Sequence, residues 1–216
     1  MNRANRVPMD ETEIWLLDCC ELRSDEVFSA VMERVDVMRR EKVVACERQE
    51  DRLLRLGVGA LAAALMHRHG LDPARLLFEG SGKPVVQGGG GCISLSHAGR
   101  WAMAGLSDAP IGVDVELWRA DEWGIAKHFF SPAEQRLVAS AAEPEACFWR
   151  LWSRKECLIK RDGLRELREL SVAEDPVNGR FWEWPLEGYS CVACVERERR
   201  PSFRILEVED ILNYLP

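Results

Sequence analysis

The chain has 216 residues, 36 of them Asp or Glu against 29 Lys or Arg, for a formal net charge of −7. That balance excludes a general nucleic-acid binder, which needs a basic footprint, while leaving room for a local basic pocket around a small anion. A hydrophobic fraction of 47% supports one large domain or two small ones with a substantial core. The opening stretch "MNRANRVPMDETEIWLLD" has no signal-type apolar core. The longest apolar run, around Val58–Met66, is too short to span a bilayer. A cytoplasmic protein with no membrane and no nucleic-acid partner is expected. Its eight cysteines should be free thiols. The one C-x-x-C, Cys191–Cys194, reads as part of a strand, where residues three apart point to opposite faces and cannot share a metal.

In chain order, "EIWLLD" (13–18) predicts a first strand, and residues 24–69 predict helices in two or more pieces, closed by Gly70 as a C′ glycine. "LDPARLLFEG" predicts a turn and short strand, "SGKPVV" a turn and extended chain, and "QGGGG" (87–91) a flexible loop. A phosphate-cradling glycine loop would lead into a helix, and this one leads into a strand. "CISLSHAGRWAMAGLS" predicts a hairpin about "HAGR", followed by a strand at "IGVDVE". Ser131, Pro132 and Glu134 stand as N-cap, N1 and N3 of a helix. A stronger helix opens at Pro144 and closes at Gly163, with Phe148, Leu151, Trp152 and Ile159 as its core stripe. "LSVAED" (170–175) predicts a strand and "YSCVACVE…SFRILEVE" a second hairpin. Helix, strand and hairpin thus occur twice, giving two similar halves, 1–107 and 108–216.

Period-two alternation puts Asp114 and Glu116 on one face of their strand, with Cα atoms roughly 6.5–7 Å apart. Two neighbouring carboxylates without a cation between them suit a hard divalent ion, because Mg²⁺ is commonly held by one or two carboxylates plus substrate oxygens. Gly112, on the same face, leaves room for a ligand. Glu156 and Lys160 are i, i+4 partners on a Trp-rich helix, where a buried Glu156 needs a cation. Lys83 on the Gly-Lys-Pro turn and Ser96–His97 at a hairpin corner are further polar candidates.

In combination these motifs carry more than they do singly. "SGKP" (81–84), "ISLSHAGRWAMAG" (93–105), "PIGVDVE" (110–116), "HFFSPAE" (128–134) and "LWSRKECLIK" (151–160) occur in an order and spacing that resembles the 4′-phosphopantetheinyl transferases. The similarity is to their surfactin-synthetase-activating type, with two fused halves in one chain. It implies an α+β fold of two similar subdomains, each a small, mostly antiparallel sheet on a long helix, with coenzyme A in the cleft between them. It implies Mg²⁺-dependent transfer of phosphopantetheine from coenzyme A to a serine of an apo acyl or peptidyl carrier protein by a monomer, releasing adenosine 3′,5′-bisphosphate.

By the same resemblance, Asp114, Glu116 and Glu156 hold Mg²⁺ on the coenzyme A pyrophosphate, and Glu156 also serves as base, directly or through water. Lys160 neutralises the pyrophosphate. Lys83, Ser96 and His97 contact coenzyme A phosphates, and Arg39, Lys42, Arg48 and Arg52 reach the 3′-phosphate. Segment 117–136, with Trp118, Trp123 and Phe129 beside Lys127, His128 and Arg136, is the expected carrier-docking rim. Two other readings use the same residues: a Mg²⁺-dependent phosphohydrolase, and a non-catalytic protein that binds coenzyme A or a carrier.

Overall fold

The structure is a computed structural model, and it describes residues 11–80, 82–119, 124, 128–163, 167, 170–176, 179–196 and 200–215. The fold is α+β, with small sheets and packed helices. The described strands are β1 (Glu13–Asp18), β2 (Leu76–Phe78), β3 (Pro84–Val86), β4 (Cys92–Ala98), β5 (Trp101–Ser107), β6 (Ile111–Leu117), β7 (Arg180–Glu183), β8 (Tyr189–Val195) and β9 (Ser202–Leu206). The described helices are α1 (Asp25–Arg34), α2 (Val37–Val44), α3 (Gln49–Arg68), α4 (Pro132–Ser140), α5 (Pro144–Asp162) and α6 (Val208–Tyr214). They build a four-stranded sheet in the order β4-β5-β1-β9, a β2-β3 ribbon, and a three-stranded sheet in the order β6-β8-β7.

Strand β1 explains the layering. Its alternation is apolar on both faces, so it must be covered twice. Trp15 and Leu17 enter the core beneath α3, while Ile14 and Leu16 enter a second core shared with Val113, Val115 and Ala193 of the three-stranded sheet. Helix α3 has buried residues on every side from Leu56 to Met66, as suits a helix enclosed by a sheet and other helices. Gly70 follows it with φ 69°, the C′ conformation that only glycine adopts cheaply. Beyond the second sheet, α5 and α4 close a third core around Phe148, Leu151 and Val192.

The two sheets meet at an unusual seam. Among the described residues strand β6 ladders with β8 alone, so its other edge would carry unpaired N–H groups, a costly state in the interior. The serines of β4 meet that need. Ser94 Oγ accepts from Val113 N at 3.0 Å, and Ser96 Oγ accepts from Val115 N at 3.3 Å. Residues two apart on one strand serve N–H groups two apart on the other, so the hydroxyl spacing matches the ladder it replaces.

Several sequence expectations are corrected here. "LSVAED" makes no strand, because Glu134 accepts from Val172 N and Lys155 donates to Leu170 O, so side chains take the groups a ladder would use. Strand β7 occupies that role instead. The second hairpin is absent: β8 is flanked by β6 and β7, while β9 crosses to pair in parallel with β1. Helix α6 follows it and packs on α3. The glycine run is not a loose connection either. Arg75 clamps it by donating from Nε to Gln87 O at 2.7 Å and from Nη2 to Gly89 O at 3.0 Å. On α5 the buried set includes Trp149, Cys157 and Leu158, with Ile159 only half-buried. The eight cysteines are free, and Cys191 and Cys194 face different cores. Among the described residues no helix is long and apolar enough to cross a membrane.

Candidate functional site

Asp114 is the centre of the site. Its face of β6 is turned to α5, so the carboxylate is only 1% exposed. The room that Gly112 leaves is taken by the helix itself, since a Cβ there would stand 1.9 Å from Cys157 O. The glycine therefore serves helix approach, where a ligand was expected. That approach brings Lys160 onto Asp114, Nζ to Oδ1 at 2.6 Å. Burial pulls the Lys160 ammonium down, but the charge and hydrogen bond of Asp114 more than offset it, and its pKa lies above the ordinary lysine value.

Ser96 joins the same pair. Its Oγ donates to Asp114 Oδ1 at 3.0 Å and accepts from Lys160 Nζ at 2.9 Å. Asp114 Oδ2 is buried and has no hydrogen-bond partner among the described residues. Burial, then the charge of Asp114, pushes the Glu116 carboxyl up to about 7, with Glu156 adding to the rise and Lys160 opposing it. Glu156 is raised by burial and by Asp114 against the same opposition. Three carboxylates thus share one repulsive field with one lysine. Among the described residues no three His, Cys, Asp or Glu side chains form a ready-made metal cage. The donor set still suits Mg²⁺, which keeps water and substrate oxygens in its shell. A buried carboxylate oxygen without a partner among the described residues, coupled to two carboxyls raised by burial and by its charge, is what such a cation relieves.

A cationic cluster lies on the helical side of the first sheet. Arg39 is 8% exposed, and its stem lies where a Cβ on Gly59 would be. Burial lowers its pKa, with Arg55 contributing and Asp36 opposing. Lys42 is lowered by burial, Arg39 and Arg55, and His97 by burial, Lys160 and Arg55. Lys42 Nζ sits 4.1 Å from the centre of the half-exposed Phe78 ring. A cavity of about 390 Å³ opens here, lined by Lys42, Arg48, Asp51 and Arg55 among others.

Of the basic residues expected from sequence, Arg39, Lys42 and His97 are coupled to one another through Arg55. Arg52 turns away to donate to Cys46 O at 2.8 Å, and Arg48 pairs loosely with Glu50 at 3.9 Å. Arg55 was missed; it continues the spacing of Arg48 and Arg52 along α3, one further turn on, and could have been read from it. Lys83 Nζ donates to Arg161 O at 2.8 Å, capping the C-terminus of α5.

A second buried pair escaped sequence reading. Lys155 Nζ meets Glu134 Oε2 at 3.0 Å with both side chains fully buried. A lysine amid the apolar turns of α5, and a capping-box glutamate, were its visible signs. In the expected docking segment, Trp118 donates to Ser190 Oγ at 3.1 Å and Phe129 packs edge-on against Trp152. Phe130 is core, whereas His128 and Arg136 are exposed. Trp123 and Lys127 lie outside the described residues, as does Ser81 of the "SGKP" turn.

Fold and side chains together define an α+β protein with a polar centre at the seam of two small sheets. Comparison with known proteins gives that class a family. The family model of the 4′-phosphopantetheinyl transferase superfamily matches residues 110–194. The chain is 39% identical over 113 residues to 4′-phosphopantetheinyl transferase psf-1 of Bacillus pumilus, covering 50% of this chain and 48% of that one. It is 35% identical over 140 residues to a 4′-phosphopantetheinyl transferase of Bacillus subtilis, covering 62% of each. To 4′-phosphopantetheinyl transferase ffp of Bacillus subtilis it is 32% identical over 167 residues, covering 74% of this chain and 72% of that one. The chain thus spans about half to three-fifths of the first two relatives and nearly three-quarters of the third. It belongs to the 4′-phosphopantetheinyl transferase superfamily.

Proposed function

We propose that this protein transfers the 4′-phosphopantetheine group of coenzyme A to a serine hydroxyl of an apo acyl or peptidyl carrier protein. The observation that carries the reading is the buried Asp114, with one oxygen on Lys160 and Ser96 and the other unpartnered, in a chain of this family. The first sheet with α3 and the second with α5 act as two subdomains, and coenzyme A lies across their seam. Arg39, Lys42, Arg55 and His97 hold its 3′-phosphate, and Lys83 steadies the end of α5 beside it. Asp114, Glu116 and Glu156 would hold Mg²⁺, which when bound supplies positive charge to the scissile pyrophosphate.

The chain's own groups do the rest. Lys160 fixes Asp114 and meets the charge that develops on the departing adenosine 3′,5′-bisphosphate. Glu156, its affinity for protons raised by burial and Asp114, takes the carrier serine proton directly or through one water. The serine oxygen forms its bond to phosphorus as the anhydride P–O bond breaks. Segment 117–136 receives the carrier, with exposed His128 and Arg136 complementing an acidic partner. The eight free thiols suit a monomer working in the reducing cytoplasm.

Incubation with apo-carrier proteins, coenzyme A and Mg²⁺, read by intact mass, tests the proposal. A carrier gaining one phosphopantetheine supports it. Coenzyme A cleaved without carrier gain would favour a phosphohydrolase, and binding without either would favour a non-catalytic protein.

A further inference from the structure

We infer that Ser96 is a positioning residue for Asp114 and Lys160; the inference rests on the function proposed above. A hydroxyl has one donor and two acceptor sites, and all three are used. The proton goes to Asp114 Oδ1 at 3.0 Å, and the lone pairs receive Lys160 Nζ at 2.9 Å and Val115 N at 3.3 Å. The residue is 7% exposed.

Its three partners come from two elements. Val115 and Asp114 lie on β6, Lys160 lies on α5, and Ser96 itself lies on β4. One oxygen therefore ties the edge of the first sheet to the carboxylate and to the lysine. It also decides which carboxylate oxygen is occupied. With Oδ1 held by both Ser96 and Lys160, Oδ2 is the oxygen left without a partner among the described residues. Removing the hydroxyl frees the carboxylate to rotate and leaves Lys160 with one contact where it had two.

Ser94 supplies the internal control. It accepts from Val113 N at 3.0 Å, as Ser96 does from Val115 N, and it too is buried. No hydrogen bond links it to Asp114 or Lys160. Losing Ser94 damages the seam alone, and losing Ser96 damages the seam and the site.

The experiment is calorimetry of coenzyme A binding with and without Mg²⁺, on wild type, Ser96→Ala, Ser96→Thr and Ser94→Ala, with melting temperatures recorded for each. A positioning role predicts that Ser96→Ala matches wild type without Mg²⁺. With Mg²⁺ it should lose about tenfold in affinity, the size of effect expected when a hydrogen bond to a charged group is removed. Ser96→Thr should restore the Mg²⁺-dependent part, and Ser94→Ala should match wild type in both arms. Equal losses by Ser96→Ala with and without Mg²⁺ would overturn the inference in favour of a direct phosphate contact. Identical behaviour of Ser94→Ala and Ser96→Ala would overturn it in favour of a purely structural seam. If Ser96→Ala does not fold, Ser96→Cys, which keeps the shape and weakens the hydrogen bonds, is read by the same criteria. Wild type that fails to bind coenzyme A in either arm would instead overturn the proposed function, and this inference with it.

Discussion

Lys155 and Glu134 form an ion pair at 3.0 Å with neither side chain exposed to solvent. Lys155 also donates to Leu167 O and Leu170 O, and Glu134 accepts from Ser131 N and Val172 N. The pair fixes α4 and the chain after α5 to the helix that carries Glu156 and Lys160. Breaking one partner of a buried pair strands the other charge, at about 3–5 kcal/mol. Lys155→Met should therefore unfold at much lower denaturant than wild type, and Lys155→Met with Glu134→Leu should recover most of that loss. A double variant no better than the single would show that the pair itself is not the source.

All three acids should be needed for transfer, and Glu116 and Glu156 should not be needed for folding. Asp114→Asn, Glu116→Gln and Glu156→Gln are each expected to lose most phosphopantetheinylation, roughly a hundredfold or more. The melting temperatures of Glu116→Gln and Glu156→Gln should hold or rise, because each removes a carboxylate that burial and like charge already destabilise. Near-normal turnover by Glu116→Gln at ordinary Mg²⁺ would remove it from the metal set.

Among the basic residues the structure separates participants from bystanders. Arg55→Ala and His97→Ala should weaken coenzyme A binding by about tenfold or less, with the loss shrinking as salt rises. Arg52→Ala should leave affinity unchanged, since its guanidinium already serves Cys46 O. Calorimetry at two salt concentrations reads both. Equal losses for Arg52 and Arg55 would dissolve the distinction.

Gly112 allows no side chain. A Cβ there would overlap the Cys157 carbonyl, which belongs to the helix backbone and cannot rotate aside. Gly112→Ala should cost about 1–3 kcal/mol and displace α5 with Glu156 and Lys160, so activity should fall further than stability. Wild-type turnover in a folded Gly112→Ala protein would contradict this.

Acid should loosen the latch at the end of α3. Burial raises the Glu13 carboxyl, but hydrogen bonds from His69 and Arg68 outweigh it and hold its pKa down at about 2. A depressed carboxylate stabilises the fold above its unfolded value near 4.5 and loses that contribution as pH falls towards 2. Up to roughly 3 kcal/mol is at stake. Glu13→Gln should be less stable at pH 7 and show a flatter stability curve between pH 5 and 2; an unchanged slope would place the acid sensitivity elsewhere.

Local signals were legible in the sequence where the cause was local. The alternation of β1 and β6, the "HAGR" hairpin, the Ser131 capping box and the Gly70 and Gly163 stops all depend on neighbours within a few residues, and all are present. The partner of β9 was not legible, because an alternating strand fits any free edge and only assembly decides which. The role of Gly112 was misread for a related reason: sequence shows that space is needed and not what fills it. The Ser96 hydrogen bonds join β4 to β6 and α5, contacts between distant elements that spacing alone does not report.

Strand β1 takes its two neighbours from distant parts of the chain: β5 pairs with it antiparallel, and β9 lies parallel, with Leu16 opposite Ile205. During synthesis the first sheet must therefore wait, one edge of β1 bare, until β9 some 190 residues later has left the ribosome, and a bare edge is a template for aggregation. Long-range closure of this kind is also slow. Cutting the chain between β5 and β6 would leave one fragment with an unfinished sheet and another with a strand lacking its place. Neither should persist as a soluble half, yet mixed together they present matching edges, so the chain could serve as a split reporter whose signal depends on β9 finding β1.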